Sequence, residues 1–168
     1  MSIDNGTFPC RLDVDQPPLL RGKVVNGRRT PTYVLAWVCS ARKFFANLGD
    51  GKRGKVNFRN FMDVVSEKWG AYPNFPYSLQ PTPYFAGDGN YYLIVMFNTA
   101  NAEHATRVLN VDTDPLIQAA KISMGVDKDE EVEKTLAWFR FPLHWVEAEE
   151  RQREAARFTM MQSTLSSP

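Results

Sequence analysis

Cysteine is scarce in this chain, with Cys10 and Cys39 the only two among 168 residues. Two cysteines without a CxxC spacing build neither a disulfide framework nor a zinc motif. No apolar run approaches the ~20 residues that a transmembrane helix requires. Residues 1–11 also lack the basic start and apolar stretch of a secretory signal. We therefore expect a reduced, cytoplasmic (intracellular) protein with no membrane partner.

Neither sign of charge dominates the whole chain, which has a formal net charge of +1 and a pI of about 7.8. The charge is uneven, because residues 1–70 hold 12 Lys and Arg against 6 Asp and Glu, whereas residues 71–168 hold 8 against 13. Tyr33, Trp37 or Phe44 in the basic half could stack on bases. The overall pI nevertheless falls well short of a basic nucleic-acid footprint, so we expect no nucleic-acid partner.

Motifs for phosphate and metal binding are also missing. The Gly- and Lys-rich segment Asn47–Lys55 has no Gly-x-x-x-x-Gly-Lys-Ser/Thr frame, so it is not a P-loop. The carboxylates of Asp112–Asp114 and Asp127–Glu131 lack the glycine and the spaced terminal Glu of a calcium loop. They are typical of helix N-termini, where negative charge is favoured. We expect neither a metal nor a cofactor.

Apolar patterning is strong where it occurs, and 43% of the residues are hydrophobic. Tyr91–Phe97 is a run of seven bulky residues after the turn Gly87–Asn90, which is typical of a strand buried on both faces. Thr32–Cys39 is rich in β-branched and aromatic residues and predicts a second strand. Leu79–Phe85 is a candidate edge strand that would form a hairpin with Tyr91–Phe97.

Helices are predicted around these strands. A short helix is expected over Ala41–Leu48, followed by an amphipathic helix with a helically spaced stripe formed by Phe58, Phe61, Met62, Val65 and Trp69. Further helices are predicted over Ala100–Leu109, Pro115–Met124, Asp127–Arg140 and Leu143 to about Met161. Asp114 and Pro115 are a favourable N-cap and first residue for the second of these.

This order predicts an α+β single domain with a ferredoxin-like (split βαβ) sheet and additional C-terminal helices. The architecture resembles small ferredoxin-like proteins, including dimeric α+β barrels, and this analogy concerns the fold alone. The closing strand has two candidates, Leu136–Phe141 and Phe158–Met161. Residues 1–30 are expected to form an extended N-terminal arm, residues 31–161 the domain, and residues 162–168 a frayed tail.

Two histidines, His104 and His144, limit the acid–base chemistry that the chain could perform. A histidine is the usual proton carrier near neutral pH, and it needs an orienting partner. His104-Ala105-Thr106 imitates one half of the paired His-x-Thr/Ser signature of two-histidine phosphoesterases, but the second half is missing. A packing or surface role is the alternative for each histidine.

The most suggestive group of residues is aromatic and lies around four prolines. Tyrosine combines a flat apolar ring with one polar group, which suits a pocket for an aromatic or polyketide-like ligand. The same residues could instead receive a protein partner or simply cover a sheet edge. The group comprises Tyr72, Phe75, Tyr77, Tyr84, Phe85, Tyr91 and Tyr92.

Two functions therefore stay open. The first is a small-molecule-binding protein acting as a cofactor-independent lyase, cyclase or isomerase, with a small organic ligand as its partner. Its candidate catalytic residues are His104, His144, Tyr84, Tyr92 and Asp88, and its candidate substrate-binding residues are Trp37, Tyr72, Tyr77, Phe85 and Tyr91. The alternative is a non-catalytic module that docks a protein through the basic N-terminal half or the Tyr/Pro-rich segment. A homodimer is compatible with either function.

Overall fold

The computed structural model describes residues 8–49, 55–71, 81–86, 89–98 and 112–141. Seven strands and four α-helices occur in these ranges, together with a 3-10 turn at Val126–Lys128. The strands are β1 (Arg11–Asp13), β2 (Val24–Val25), β3 (Arg28–Arg29), β4 (Thr32–Ser40), β5 (Thr82–Phe85), β6 (Asn90–Phe97) and β7 (Ala137–Phe141). The helices are α1 (Ala41–Leu48), α2 (Phe61–Gly70), α3 (Pro115–Ser123) and α4 (Glu130–Glu133).

Five strands form one sheet in the order β1-β7-β4-β6-β5, and each pair of neighbours is antiparallel. β4 is central and is the longest strand, and its β-branched and aromatic residues suit a pleated surface that is packed on both sides. Pro83 lies in β5 at the edge of the sheet, where a residue without an N–H group can be accommodated. The protein is a mixed α+β fold, and the two predicted long strands are confirmed.

One face of the sheet packs against α1, α2 and α3 and holds the larger part of the core. Alternate residues of β4 point to this face, among them Leu35 and Trp37. They meet Phe44 of α1, Val65 of α2 and Ile117 of α3, all of which are buried. We call this side the helix face.

Helix α3 confirms the prediction made from its first residues. The Asp114 side chain accepts hydrogen bonds from the N–H groups of Leu116 (2.9 Å) and Ile117 (3.3 Å), and Pro115 occupies the first turn, where its missing N–H costs nothing. Gly125 follows the helix with φ +71°, a left-handed conformation that favours glycine.

The helix predicted over Asp127–Arg140 is wrong. Asp129 caps only the single turn α4, because its carboxylate accepts from the N–H groups of Glu131 and Val132. Thr135 then binds the backbone of β4, where its Oγ1 accepts from the N–H of Val38 at 2.8 Å. The chain continues as β7, so the closing strand lies within the first of its two candidate segments. The second candidate, Phe158–Met161, lies outside the described residues.

The apolar stripe predicted for α2 is correct only in part. Asn60 is the N-cap, so Phe58 precedes the helix and is 68% exposed. Met62 is also exposed, whereas Val64 and Val65 are buried. Phe61 and Trp69 also pack against the core, as predicted, so the buried face of α2 holds three of the five stripe residues and adds Val64.

Residues 8–30 contribute β1 at the β7 edge of the sheet and a separate hairpin of β2 and β3. The helices predicted over Ala100–Leu109 and from Leu143 to about Met161, as well as the tail 162–168, lie outside the described residues. Within the described ranges, no helix has the length and apolar character needed to cross a bilayer.

Candidate functional site

The sheet is strongly curled, and its second face is concave. The rings of Tyr84 in β5 and Phe141 in β7 have centroids 6.3 Å apart, although β6 and β4 lie between their strands. In a flat sheet three strand spacings would separate those strands by about 14 Å. Only a sheet that bends towards this side can bring the two rings together. We call this side the concave face.

Small residues lie at the centre of the concave face and aromatic rings surround them. Val34, Ala36 and Ala137 are fully buried. Aromatic and aliphatic residues complete the face, which includes Val34, Ala36, Val38, Tyr84, Ala86, Tyr92, Ile94, Phe97, Ala137, Phe139 and Phe141. The centre of this face is part of the core, since Tyr92, Ile94 and Phe139 are also buried. The face is open at its edge, where Tyr84 and Phe97 are 40% and 43% exposed.

A β-bulge in β6 adds Phe97 to this face. The register shifts so that Leu35 lies opposite Met96 while Ala36 lies opposite Ile94, which leaves Val95 without an opposite residue. Val95 and Met96 therefore both pack against the helix face. Phe97 is turned to the concave face, where its ring lies 6.0 Å from that of Phe141.

Two of the predicted catalytic residues form a cross-strand pair on the concave face. Tyr84 lies opposite Tyr92 in the β5–β6 ladder. Tyr92 is 4% exposed and packs edge-to-face against Phe139 at 5.2 Å, whereas Tyr84 is 40% exposed. A phenol can donate a hydrogen bond to an oxygen that gains negative charge, so this pair provides polar groups within an otherwise apolar surface.

Three predicted substrate-binding residues lie on the opposite side. Tyr91 packs at 4.9 Å from Phe44 and 5.2 Å from Phe85 on the helix face, and burial raises the pKa of its phenol. Trp37 is in the core on the same face, and its indole N–H has no acceptor among the described residues. The structure therefore brings Tyr84 and Tyr92 together and separates them from Trp37, Phe85 and Tyr91.

The other five predicted site residues lie outside the described residues. They are the candidate bases His104, His144 and Asp88 and the candidate pocket residues Tyr72 and Tyr77. Sequence reasoning missed Phe97, Phe139 and Phe141. The alternation of Ala137, Phe139 and Phe141 is the signal that indicates β7, but the acidic residues ahead of it favoured a helix over the whole segment.

The remaining titratable groups near β4 have structural roles. Burial, with a contribution from the Asp129 carboxylate, raises the pKa of the Cys39 thiol to about 12, so this cysteine is not a nucleophile at neutral pH. Slight burial of Asp129 opposes the lowering of its pKa, but the Val132 N–H, the Asn47 amide and Lys43 together hold that pKa below its usual value. Across the described ranges, no three His, Cys, Asp or Glu residues are grouped so that they could hold a metal ion.

Comparison of the chain with known protein families, with curated proteins and with solved structures finds no match.

Proposed function

We propose that this protein binds a small organic molecule on its concave face, and that the ligand is flat and apolar, such as an aromatic or polyketide-like compound. The observation that carries the proposal is the pair of exposed rings, Tyr84 and Phe97, which both lie beside Phe141 at the edge of the buried aromatic cluster. Aromatic rings favour stacked or edge-to-face contacts with another ring, each contributing about 0.5–1.5 kcal/mol beyond area burial. The phenols would orient the ligand through its oxygen atoms.

We further propose a cofactor-independent lyase, cyclase or isomerase reaction at this site. His104 or His144, with Asp88 in reserve, would remove a proton from carbon next to a carbonyl group, and the electron pair would move to the carbonyl oxygen. Tyr84 or Tyr92 would donate a hydrogen bond to that oxygen. The same base would return the proton at a different atom in an isomerase, or protonate the leaving group in a lyase.

Binding of 2-naphthol, followed by its fluorescence, tests the proposal. Replacing Phe97 with Ala should weaken binding about tenfold because a ring contact and buried area are lost. Tyr84→Phe and Tyr92→Phe keep the rings but each removes one hydroxyl group. The variant that lacks the hydroxyl bonded to the ligand should bind 2-naphthol about fivefold to tenfold more weakly. Phe58→Ala removes an exposed ring far from this face in the fold and is the matched control. Equal affinities of the Phe97→Ala and Phe58→Ala variants would contradict the proposal.

We assign strands β4 to β7 to a split βαβ unit of the ferredoxin-like type. The order β7-β4-β6-β5 with antiparallel neighbours supports this assignment. α1 and α2 lie between β4 and β5 in the chain, as the first crossover of such a unit requires. An experimental structure with a different connection between β6 and β7 would contradict it.

The second candidate function is a protein-interaction module that uses the basic N-terminal half. Phe58 and Met62 are exposed at the start of α2, and Lys55 and Arg59 lie beside them in the chain. An exposed apolar group with a charged rim is typical of a protein contact. If this surface forms a homodimer, Phe58→Ser should convert the dimer to a monomer in light scattering, whereas Ile122→Ser, at another exposed apolar residue, should not.

A further inference from the structure

A second concave region lies between the N-terminal arm and the start of β4, away from the concave face of the sheet. It is an open groove of about 260 Å³. Its walls are mostly apolar, since Phe8, Leu12, Leu19 and the ring of Tyr33 line it together with three prolines. The polar side chains in the lining are Gln16, Thr30 and the Tyr33 hydroxyl.

Hydrogen bonds within the protein hold the walls of the groove together and occupy polar atoms of its lining residues. The Tyr33 hydroxyl donates to the carbonyl oxygen of Pro9 at 2.6 Å. Oγ1 of Thr30 donates to the carbonyl oxygen of Lys23 at 3.0 Å, and Asn98 donates to that of Leu19 at 3.3 Å. The part of a ligand that enters the groove would therefore be an apolar chain rather than a polar group.

The hairpin of β2 and β3 places cations beside the groove. Its turn is Asn26-Gly27, both with positive φ, and the N–H of Gly22 donates to the carbonyl oxygen of Thr30 at 3.0 Å. Residues 16–31 contain Arg21, Lys23, Arg28 and Arg29 and no Asp or Glu, and all four cations are exposed.

The backbones of three of these cationic residues lie next to residues that line the groove. Arg21 is two residues from Leu19, Arg29 precedes Thr30, and the backbone of Lys23 is bonded to Thr30. Two carboxylates, Asp13 and Asp15, occur near Leu12 and Gln16, which are also lining residues. Arg11 and Arg140 lie on the same side as these carboxylates, since Arg11 precedes Leu12 and Arg140 donates to the carbonyl oxygen of Phe8 at 2.6 Å. The hairpin side of the groove therefore holds only cations, whereas the β1 side holds both signs of charge.

We infer that the groove binds a free single-chain anionic amphiphile, such as a medium-chain carboxylate. The alkyl chain would lie between the leucines and prolines, where burial of each methylene would tighten binding about fourfold. The anionic head would lie beside Arg21, Lys23 and Arg29, because this side holds cations without carboxylates, whereas the charges on the β1 side offset one another. This site is separate from the concave face, so either proposal can fail without the other.

Calorimetric titration of the full chain with octanoate and with octanol tests the inference. We expect octanoate to bind at least tenfold more tightly than octanol, with the difference decreasing at high salt. The double variant Arg21→Gln/Arg29→Gln should reduce octanoate affinity to that of octanol and leave octanol unchanged. The matched control is Lys55→Gln/Arg59→Gln, which removes the same charge elsewhere and should have no comparable effect.

A second pair of variants tests the apolar part of the site. Leu19→Trp should fill the groove and abolish octanoate binding, whereas Val24→Trp, at a 61% exposed hairpin residue outside the lining, should preserve it. Both positions are exposed, and circular dichroism would verify that each variant is folded. Phe97→Ala should also retain octanoate binding, which separates this site from the concave face.

Three results would overturn the inference. The first is equal affinity for octanoate and octanol, and the second is octanoate binding that survives Leu19→Trp. The third is co-sedimentation with phosphatidylglycerol vesicles that depends on Leu19, in the absence of octanoate binding in solution, because the groove would then recognise a bilayer surface rather than a free amphiphile.

Discussion

Replacing Asn98 with aspartate should strongly destabilise the fold, because this one side chain connects the end of β6 to β4 and to the N-terminal arm. Its Oδ1 accepts from the N–H of Tyr33 at 2.8 Å, and its Nδ2 donates to the carbonyl oxygens of Pro31 (3.1 Å) and Leu19 (3.3 Å). Its backbone N–H donates to the carbonyl oxygen of Tyr33 at 2.9 Å. Asn98 is 6% exposed, so water cannot readily replace these partners.

The expected magnitude follows from which bonds aspartate can retain. The Asn98→Asp variant keeps the shape and the bond from Tyr33, but it loses both donations and places a carboxylate oxygen against two carbonyl oxygens. Two lost hydrogen bonds cost about 1 kcal/mol each, and a buried charge without a partner costs about 3–5 kcal/mol in comparable cases. The two contributions together give a fall of about 5–7 kcal/mol in the free energy of unfolding at pH 7, a large part of the ~5–15 kcal/mol of a typical domain.

Asn60 provides a control with matched chemistry at a more exposed site. Its Oδ1 accepts from the N–H of Asn57 at 2.8 Å, and its Nδ2 donates to the carbonyl oxygen of Lys55 at 3.3 Å. Asn60→Asp should cost no more than about 1 kcal/mol, because water can solvate the new charge. Urea unfolding of both variants at pH 7, followed by circular dichroism, measures the difference. Equal losses would refute the role assigned to burial at Asn98.

Two further predictions concern stability. Gly125→Ala should cost about 2–4 kcal/mol in urea unfolding, since the new Cβ would need a left-handed backbone and would lie 2.7 Å from the carbonyl oxygen of Asn47. Gly89→Ala, with φ +92° and no atom within 4 Å, should cost only about 1–2 kcal/mol, and equal costs would contradict the steric argument. Burial raises the pKa of the Cys39 thiol to about 12 in the folded protein, whereas the thiol of an unfolded chain ionises above about pH 8.5. Ionisation therefore favours the unfolded chain above that pH, so the free energy of unfolding is unaffected by Cys39 below about pH 8.5 and falls as the pH rises towards 12. Relative to a Cys39→Ala variant, the free energy of unfolding should therefore fall by about 1.4 kcal/mol per pH unit between pH 9 and 12; parallel pH profiles would exclude this contribution.

The sequence predicts correctly those elements whose conformation is determined by the preferences of their own residues. Thr32–Cys39 is typical of a strand because its β-branched and aromatic residues fit no other environment, and β4 ends only one residue later. Asp114 and Pro115 set the start of α3 through hydrogen bonding and a fixed φ, both of which are local. Segment Asp127–Arg140 was predicted wrongly because its acidic residues favour a helix start, whereas long-range bonds from Thr135 and β7 to β4 determine the rest.

The division of the tyrosines between two faces could have been predicted from the sequence. Successive residues of a strand point to opposite sides, so Tyr91 and Tyr92 cannot both line one pocket once Tyr91–Phe97 is assigned as a strand. Strand alternation alone therefore separates Tyr91 from Tyr92 in β6, and likewise Tyr84 from Phe85 in β5. It does not place Phe97, because the bulge at Val95 reverses the alternation and no local residue preference marks its position.

The concave face therefore depends on two long-range features, the bulge and the curl that brings β5 towards β7. Neither Tyr84 nor Phe141 carries a signal for the other, since 56 residues separate them in the chain and their contact exists only because the sheet bends. If the bend is set by the bulge, removing Val95 should flatten that part of the sheet while Phe97 stays opposite Val34 on the concave face, because Met96 would then follow Ile94 directly in a regular ladder. The candidate site would lose its curvature but keep this ring, so loss of 2-naphthol binding in that variant would assign the binding to the curvature, whereas unchanged binding would assign it to the ring.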